Sequence, residues 1–475
     1  FDYSIVAIFS VAVLFYNWLS CSPGSAFKIG FIFGLGQFFV GISWIYVSLH
    51  DFAGAGVLMA VLMNALFAAM VAVFSSLPGT VAVVCASIEP LISVALVFPA
   101  SWIFFEWLRT WILSGFPWLQ IGYSQIDTLM GSFAPVAGVF GVGFVASVFA
   151  GLGVAVWVCG KNKRWVILGV FAGIIGLAAL LSNITWTQPA GAEFQATLIQ
   201  ANISQELKWA PDSRAQTLRI YADMTDKHWD SSVIVWPETA VPVFYHDVKD
   251  NYLADLESKA LRSQTDLLIG VPLYDSALKQ SYNALVSLGQ NPGRYLKRHL
   301  VPFGEYLPLQ PVSGFIAEIL DFPMANFSAG EDNQAVLTAA GFPLAASICY
   351  EDVFGHESLV FLPEALYLVN LTNDAWFADS LAPHQHLQMA RMRALETGRY
   401  MLRATNNGIS AIISDRGKVV AVAPQFKRTT LTGSIIPMSG STPYIRFGDY
   451  PVIVMLGLVL IIARFYARKG GQNLR

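Results

Sequence analysis

The stretch Phe342-Pro343-Leu344-Ala345-Ala346-Ser347-Ile348-Cys349-Tyr350-Glu351-Asp352 carries an apolar run into a cysteine and then into a suddenly acidic, turn-like segment. The small and β-branched residues from Phe342 to Ile348 predict a buried strand, which fixes the position of the residue that follows it. A helix opening at Glu351 would aim its first N–H groups and its positive dipole end back at the Cys349 sulfur, favouring thiolate. A cysteine at the end of an apolar run is most often a small core hydrophobe, so a nucleophile needs support from the rest of the chain.

Around that stretch the sequence alternates strand-like and helix-like segments. Phe194 to Ile199, Ser232 to Trp236, Asp266 to Val271, Asn283 to Leu288, Leu366 to Leu371, Gly408 to Ser414 and Val419 to Val422 predict further strands. Leu207 to Trp229, Asp247 to Gln264 and His384 to Arg399 predict helices. A region of this length suffices for one α/β domain with its own core.

The remainder of the chain has a different character. Of its 475 residues 55% are hydrophobic and 13% charged, about half the charge of an ordinary soluble protein. Only Asp2, Lys28, Asp51, Glu89, Glu106, Arg109, Asp127, Lys161, Lys163 and Arg164 carry charge before Ala190. Apolar stretches near Tyr3 to Ser20, Ile29 to Leu49, Val57 to Leu77, Val81 to Phe105, Ala134 to Val158, Trp165 to Leu181 and Tyr450 to Phe465 predict seven membrane spans. Residues 1–183 are thus expected to hold membrane helices, 184–448 the α/β domain, and 449–475 a last span and its tail. Lys28, the Lys161 to Arg164 cluster and Arg468, Lys469 and Arg475 fall in alternate loops, which makes those loops cytoplasmic and places the α/β domain on the outer side. The loop from Glu106 to Ser132, with Trp107, Trp111, Phe116, Trp118 and Tyr123, reads as an interface belt or as a surface along which lipid approaches.

A formal net charge of −3 gives no basic field for nucleic acid. Of the cysteines Cys21, Cys85, Cys159 and Cys349, only the last lies in the polar region, and no disulfide framework or metal knuckle can be read from them. The pair His384 and His386 lacks companion ligands at a metal-binding spacing, so no metal is assigned.

Strand ends deliver reactive groups three times: Pro237-Glu238-Thr239 after Trp236, Lys297-Arg298-His299 after Leu296, and Cys349 after Ile348. A free cysteine titrates near ~8.5, so a base is needed to take its proton, and Glu238 could serve. A tetrahedral adduct on a carbonyl carries an oxyanion, which a fixed ammonium such as Lys297 could hold. Singly, Glu238 and Lys297 read as ion-paired surface groups; together with Cys349 they are the apparatus of acyl transfer.

The motifs WPET at Trp236 to Thr239, LKRHLVPFGEYLP at Leu296 to Pro308, ICYED at Ile348 to Asp352 and NDAWF at Asn373 to Phe377 resemble those of the nitrilase-like Glu-Lys-Cys amidases. Combined with the spans, GFPWLQIGYSQ at Gly115 to Gln125, MARMRALETGR at Met389 to Arg399 and TNNG at Thr405 to Gly408, they are similar to the apolipoprotein N-acyltransferases of Gram-negative bacteria. The resemblance covers nearly the whole chain. It implies a multi-span α-helical membrane domain plus an α/β nitrilase-like αββα sandwich facing the periplasm. The implied reaction moves an acyl chain from a glycerophospholipid to the α-amino group of a diacylglyceryl-cysteine apolipoprotein, with no cofactor and in a monomer within membrane lipid. It also implies that Cys349 is the nucleophile, Glu238 the base and Lys297 the oxyanion cation, supported by Glu305, Tyr350 and Glu351. Trp209, Trp118, Asn373 and Trp376 are expected at substrate contacts. The family has eight spans and a cytoplasmic amino terminus, so a first helix is expected to be missing before Phe1. A membrane-tethered amidase that hydrolyses its thioester, and a transporter or receptor that only binds lipid or peptide, remain the alternatives.

Overall fold

The computed structural model describes residues 3–86, 89–308 and 326–472. It divides into two compact units, Phe1–Tyr46 with Leu58–Trp186 and Thr442–Arg475, and Val47–Val57 with Thr187–Ser441.

The first unit is helical. Pro23–Gly41, Val57–Cys85, Pro90–Leu108, Leu129–Val158, Lys161–Ser182 and Tyr450–Lys469 are long and apolar enough to cross a membrane, while Ser4–Trp18 is shorter. The expected span from Val81 to Phe105 is thereby corrected. The helix from Val57 runs on through Pro78 to Cys85, and the next starts at Pro90, where Glu89 caps it by accepting from Leu91 N. Without a hydrophobic drive between helices in lipid, close contact depends on small residues. A Cβ on Gly30 would stand 2.4 Å from the Ser75 carbonyl oxygen, so only glycine lets those two helices meet. Phe15, Trp18, Phe98 and Trp102 interlock edge to face and at a tilt within the bundle.

Of the aromatic loop, read from sequence as an interface belt or a surface for lipid approach, Trp118 and Tyr123 are core instead. Trp118 is 3% exposed and Tyr123 also 3%, and the Trp118 ring packs on Trp44 and Phe116. Glu106 and Arg109 draw the loop inward: Glu106 Oε1 accepts from Ile121 N and Trp102 Nε1, and Arg109 donates to the Trp118 carbonyl. Trp111, half-exposed, is left outside.

The second unit is a sandwich. Its strands are β1 Thr187–Pro189, β2 Phe194–Gln200, β3 Val233–Val235, β4 Asp266–Asp275, β5 Gln280–Leu288, β6 Gly293–Leu296, β7 Leu337–Ala339, β8 Phe342–Ile348, β9 Tyr367–Thr372, β10 Met401–Thr405, β11 Ala411–Ile413, β12 Val419–Val422, β13 Thr429–Ile435 and β14 Met438–Gly440. They form two six-stranded sheets, ordered β13-β2-β3-β4-β5-β6 and β12-β11-β10-β9-β8-β7, each with a parallel centre and antiparallel edges. Alternation along each strand sorts the faces. Leu198, Val233, Val235 and Leu268 join Leu344, Ile348, Val369 and Leu402 in the core between the sheets. Ile199, Ile234, Trp236 and Ile269 turn outward onto Tyr221, Met224 and Leu256 of the helices Pro211–Thr225 and Ala254–Ser263. On the other sheet the helix Ala382–Thr397 supplies Ala390 and Ala394. The result is the αββα layering that the motifs implied. β1 pairs antiparallel with β14, so the segments that enter and leave this unit run side by side.

Candidate active site

The loop after β3 is anchored by Trp236, whose Nε1 donates to Thr225 Oγ1 and whose ring stacks on Tyr221. Glu238 follows at the strand end, 7% exposed. β4 must let this loop close over it: a Cβ on Gly270 would lie 2.7 Å from the Glu238 Cα. Lys297 continues β6, its N–H donating to the Asn283 carbonyl, and its side chain is 1% exposed. Its Nζ stands 3.4 Å from Glu238 Oε1 and 2.9 Å from Glu305 Oε2. Burial works against the Lys297 charge, but Glu305 and Glu238 outweigh it and hold the ammonium above the ordinary lysine range.

Sequence reasoning missed two members of this group. Asn283, from β5, donates through one Nδ2 to Glu238 Oε1 at 2.7 Å and to Glu305 Oε1 at 2.9 Å. Lys208, in the short helix Gln205–Lys208, is buried and donates to the Glu238 carbonyl at 3.1 Å. Burial lowers the Lys208 pKa to about 8, opposed by Glu238 and Cys349. Trp209, the residue singled out in that run, is 44% exposed instead. Asn283 sat unnoticed because an asparagine in a strand carries no chemical signature by itself, and Lys208 because an LKW run reads as a solvated helix face.

Cys349 stands at the end of β8 with φ 52°, a left-handed conformation costly for a residue with a Cβ. It opens a five-residue 3-10 turn, Cys349–Val353, rather than the helix expected at Glu351. The expectation of a thiolate is corrected with it. Burial raises the thiol pKa well above its usual value, Glu238 raises it further, and Lys297 opposes them. The neutral thiol is therefore the favoured form of this sulfur, and a base would be needed to make it a nucleophile.

Glu351 does not act as a helix start. Its Oε2 accepts from Ile348 N at 2.6 Å, and its Oε1 accepts from Tyr295 Oη, Arg298 N and His299 N. One buried carboxylate thus straps the Lys297 segment of one sheet to the Cys349 segment of the other. Burial pushes its pKa up to about 7, opposed by Lys297 and those backbone N–H groups. Glu305 plays a local part: Oε2 also accepts from Val301 N, closing the Val301–Glu305 turn around Lys297. Tyr350 is 9% exposed, with its ring edge-on to Phe354 and 5.6 Å from that of His299.

Behind the cysteine lies a second charged network. His386 Nε2 is 2.7 Å from Asp352 Oδ1 and its Nδ1 3.1 Å from Asp374 Oδ1, while Arg403 donates to both aspartates and to Asn370. Asn370 in turn donates to the Cys349 carbonyl. Burial and Arg403 oppose the imidazolium, but Asp352 and Asp374 prevail and raise its pKa to about 9. Both nitrogens of His386 are engaged by carboxylates, so His384 and His386 do not form a ligand pair. Asn373 is buried and donates to Gln205 Oε1. Trp376 is half-buried; its carbonyl accepts from Ser48 Oγ and its ring meets Phe52 edge-on at 5.9 Å. Trp118 lies in the helical unit and is core there. The apolar segment Phe315 to Phe327, up to residue 325, lies outside the described residues.

A family model for the apolipoprotein N-acyltransferase N-terminal domain matches residues 1–152, and one for carbon-nitrogen hydrolase matches residues 195–444. The chain is 53% identical over 474 residues to an apolipoprotein N-acyltransferase of Methylococcus capsulatus, covering 100% of this chain and 94% of that protein. It is 42% identical to that of Nitrosomonas europaea, with 98% and 94% covered, and 39% identical to that of Coxiella burnetii, with 97% and 96% covered.

Proposed function

The chain belongs to the apolipoprotein N-acyltransferase family, and on that premise we propose that it N-acylates lipoproteins through a Cys349 thioester. Glu238 takes the Cys349 proton as sulfur attacks the acyl ester of a glycerophospholipid, and Lys297 holds the oxyanion. Collapse expels the lyso-lipid alkoxide, which recovers the proton from Glu238. The α-amino group of a diacylglyceryl-cysteine apolipoprotein then attacks the thioester, gives a proton to Glu238, and leaves as the amide while the thiol re-forms. The observation that carries this reading is the buried ion pair of Glu238 with Lys297, whose charges act in opposite directions on the Cys349 thiol. The basic loops support a multi-pass inner-membrane protein with its catalytic unit in the periplasm.

The experiment is trapping. Protein mixed with phospholipid should gain one acyl mass on the Cys349 peptide, removable by hydroxylamine. The acyl-enzyme should persist without acceptor and discharge quickly to an amide when a diacylglyceryl-cysteinyl peptide with a free amino terminus is added. The same peptide with an acetylated amino terminus should leave it intact. Decay to free fatty acid at one rate with and without acceptor would make the protein a hydrolase instead.

A further inference from the structure

Beside the acyl-transfer residues lies a cluster to which the mechanism assigns no step. His299 Nδ1 is 3.5 Å and His356 Nε2 3.6 Å from one oxygen, Glu357 Oε1. The three donor atoms all fall within 4.8 Å of one another. A tetrahedral zinc ion with bonds of about 2.0–2.1 Å spaces its nitrogen and oxygen ligands by about 3.3–3.4 Å, so the present spacing accepts an ion with little movement. Arg298 engages the other oxygen, Oε2, and leaves Oε1 toward the two imidazoles. The side chains of His299 and Glu357 are 17% and 13% exposed and that of His356 is 34% exposed, which gives an ion an entry while two of its ligands stay held. The His299 ring is stacked on Phe354 at 4.0 Å, so its orientation is already set.

We propose that His299, His356 and Glu357 bind a divalent transition ion of the zinc class, which clasps the segment after β6 to the helix Gly355–Leu359 that follows the cysteine turn. Two imidazoles and one carboxylate suit zinc or cobalt rather than magnesium, which prefers an all-oxygen octahedron. Arg298, a cation next to the ion, lowers its affinity, so binding at micromolar rather than nanomolar free zinc is expected. The alternative use of the same atoms is internal, with each imidazole donating a hydrogen bond to Glu357 and no ion at all. An ion that binds only the folded chain stabilises it by mass action, which separates the two.

The test uses the full chain in detergent after chelator treatment. Micromolar zinc should raise the thermal unfolding midpoint by several degrees, and magnesium should not. His356→Gln should abolish the zinc shift while keeping basal acyl transfer, whereas His246→Gln, beside Asp247 on the surface, should keep it. Cobalt should give the intense visible bands of a four-coordinate N/O site in the wild type. No zinc shift in the wild type, an undiminished shift in His356→Gln, or a cobalt spectrum with a thiolate charge-transfer band would each overturn the proposal. The last would place the ion on one of the free cysteines instead. Should His356→Gln fail to fold, the wild-type cobalt spectrum decides alone.

Discussion

Two sheets meet at the candidate active site, and their charges are arranged to different ends. The sheet carrying Glu238 and Lys297 sets the Lys297 ammonium against two carboxylates, Glu238 and Glu305, and a second buried ammonium, Lys208, donates to the Glu238 carbonyl. The sheet carrying Cys349 sets Asp352 and Asp374 against His386 and Arg403, two charges of each sign. In the second group each cation meets both carboxylates directly, which suits a scaffold for a strained turn. The first places a carboxylate, Glu238, among the groups that act on the thiol, which suits a proton acceptor. Buried ion pairs are weak sources of stability but costly to break on one side only, so the same kind of substitution should slow chemistry in the first group and loosen the fold in the second.

The sharpest break of this comparison is in the first group. Glu238→Gln keeps the hydrogen bond from Asn283 but cannot take the thiol proton, and Lys297→Met removes the ammonium. Each should slow acyl-enzyme formation by about 100-fold to about 1,000-fold, with lipid binding little changed. Single-turnover acylation measured by mass checks this, and near-normal acylation in either variant removes that residue from the mechanism.

In the second group the expected loss is stability. The folded His386 pKa lies above its unfolded value, about 9 against 6.5. The folded state therefore holds the extra proton between those values. The contribution is complete below about 6.5 and is lost as pH rises through about 9, and it amounts to on the order of 3 kcal/mol. His386→Gln should lower the unfolding midpoint at pH 6 and flatten its decline toward pH 9. A variant with the wild-type slope would show that the imidazolium is not what balances Asp352 and Asp374.

Smaller effects sharpen the comparison. Lys208→Met should slow acylation about 10-fold, equivalent to about 1.4 kcal/mol, by releasing the Glu238 carbonyl. The wild-type rate should fall as pH rises through about 8, where the amine loses its proton, and this inflection should vanish in the variant. Trp209→Ala, at an exposed ring, should leave the unfolding midpoint unchanged and raise KM for the lipid or peptide a few-fold. A fall in kcat instead would assign Trp209 to the chemistry.

The sequence by itself determined what depends on neighbours along the chain. Apolar length marked most of the spans, short runs of apolar and β-branched residues marked β2, β8 and β12 nearly to the residue, and a reactive residue at a strand end marked Glu238, Lys297 and Cys349 as candidates. β10 escaped because Met401-Leu402-Arg403-Ala404-Thr405 carries a charge that alternation reads as solvent-facing; Arg403 is fully buried only because Asp352 and Asp374 meet it from two other segments. The same holds for the thiol. A local turn with acidic residues reads as thiolate-favouring, while the pKa answers to burial and to Glu238, 111 positions earlier in the chain. Asn283 between two carboxylates, Glu351 as the strap between sheets, and His299 beside His356 and Glu357 are likewise products of distance in space. Only the tertiary structure decides these, because a charge or hydrogen bond acts over a few ångströms and the fold alone sets which distant residues come that close.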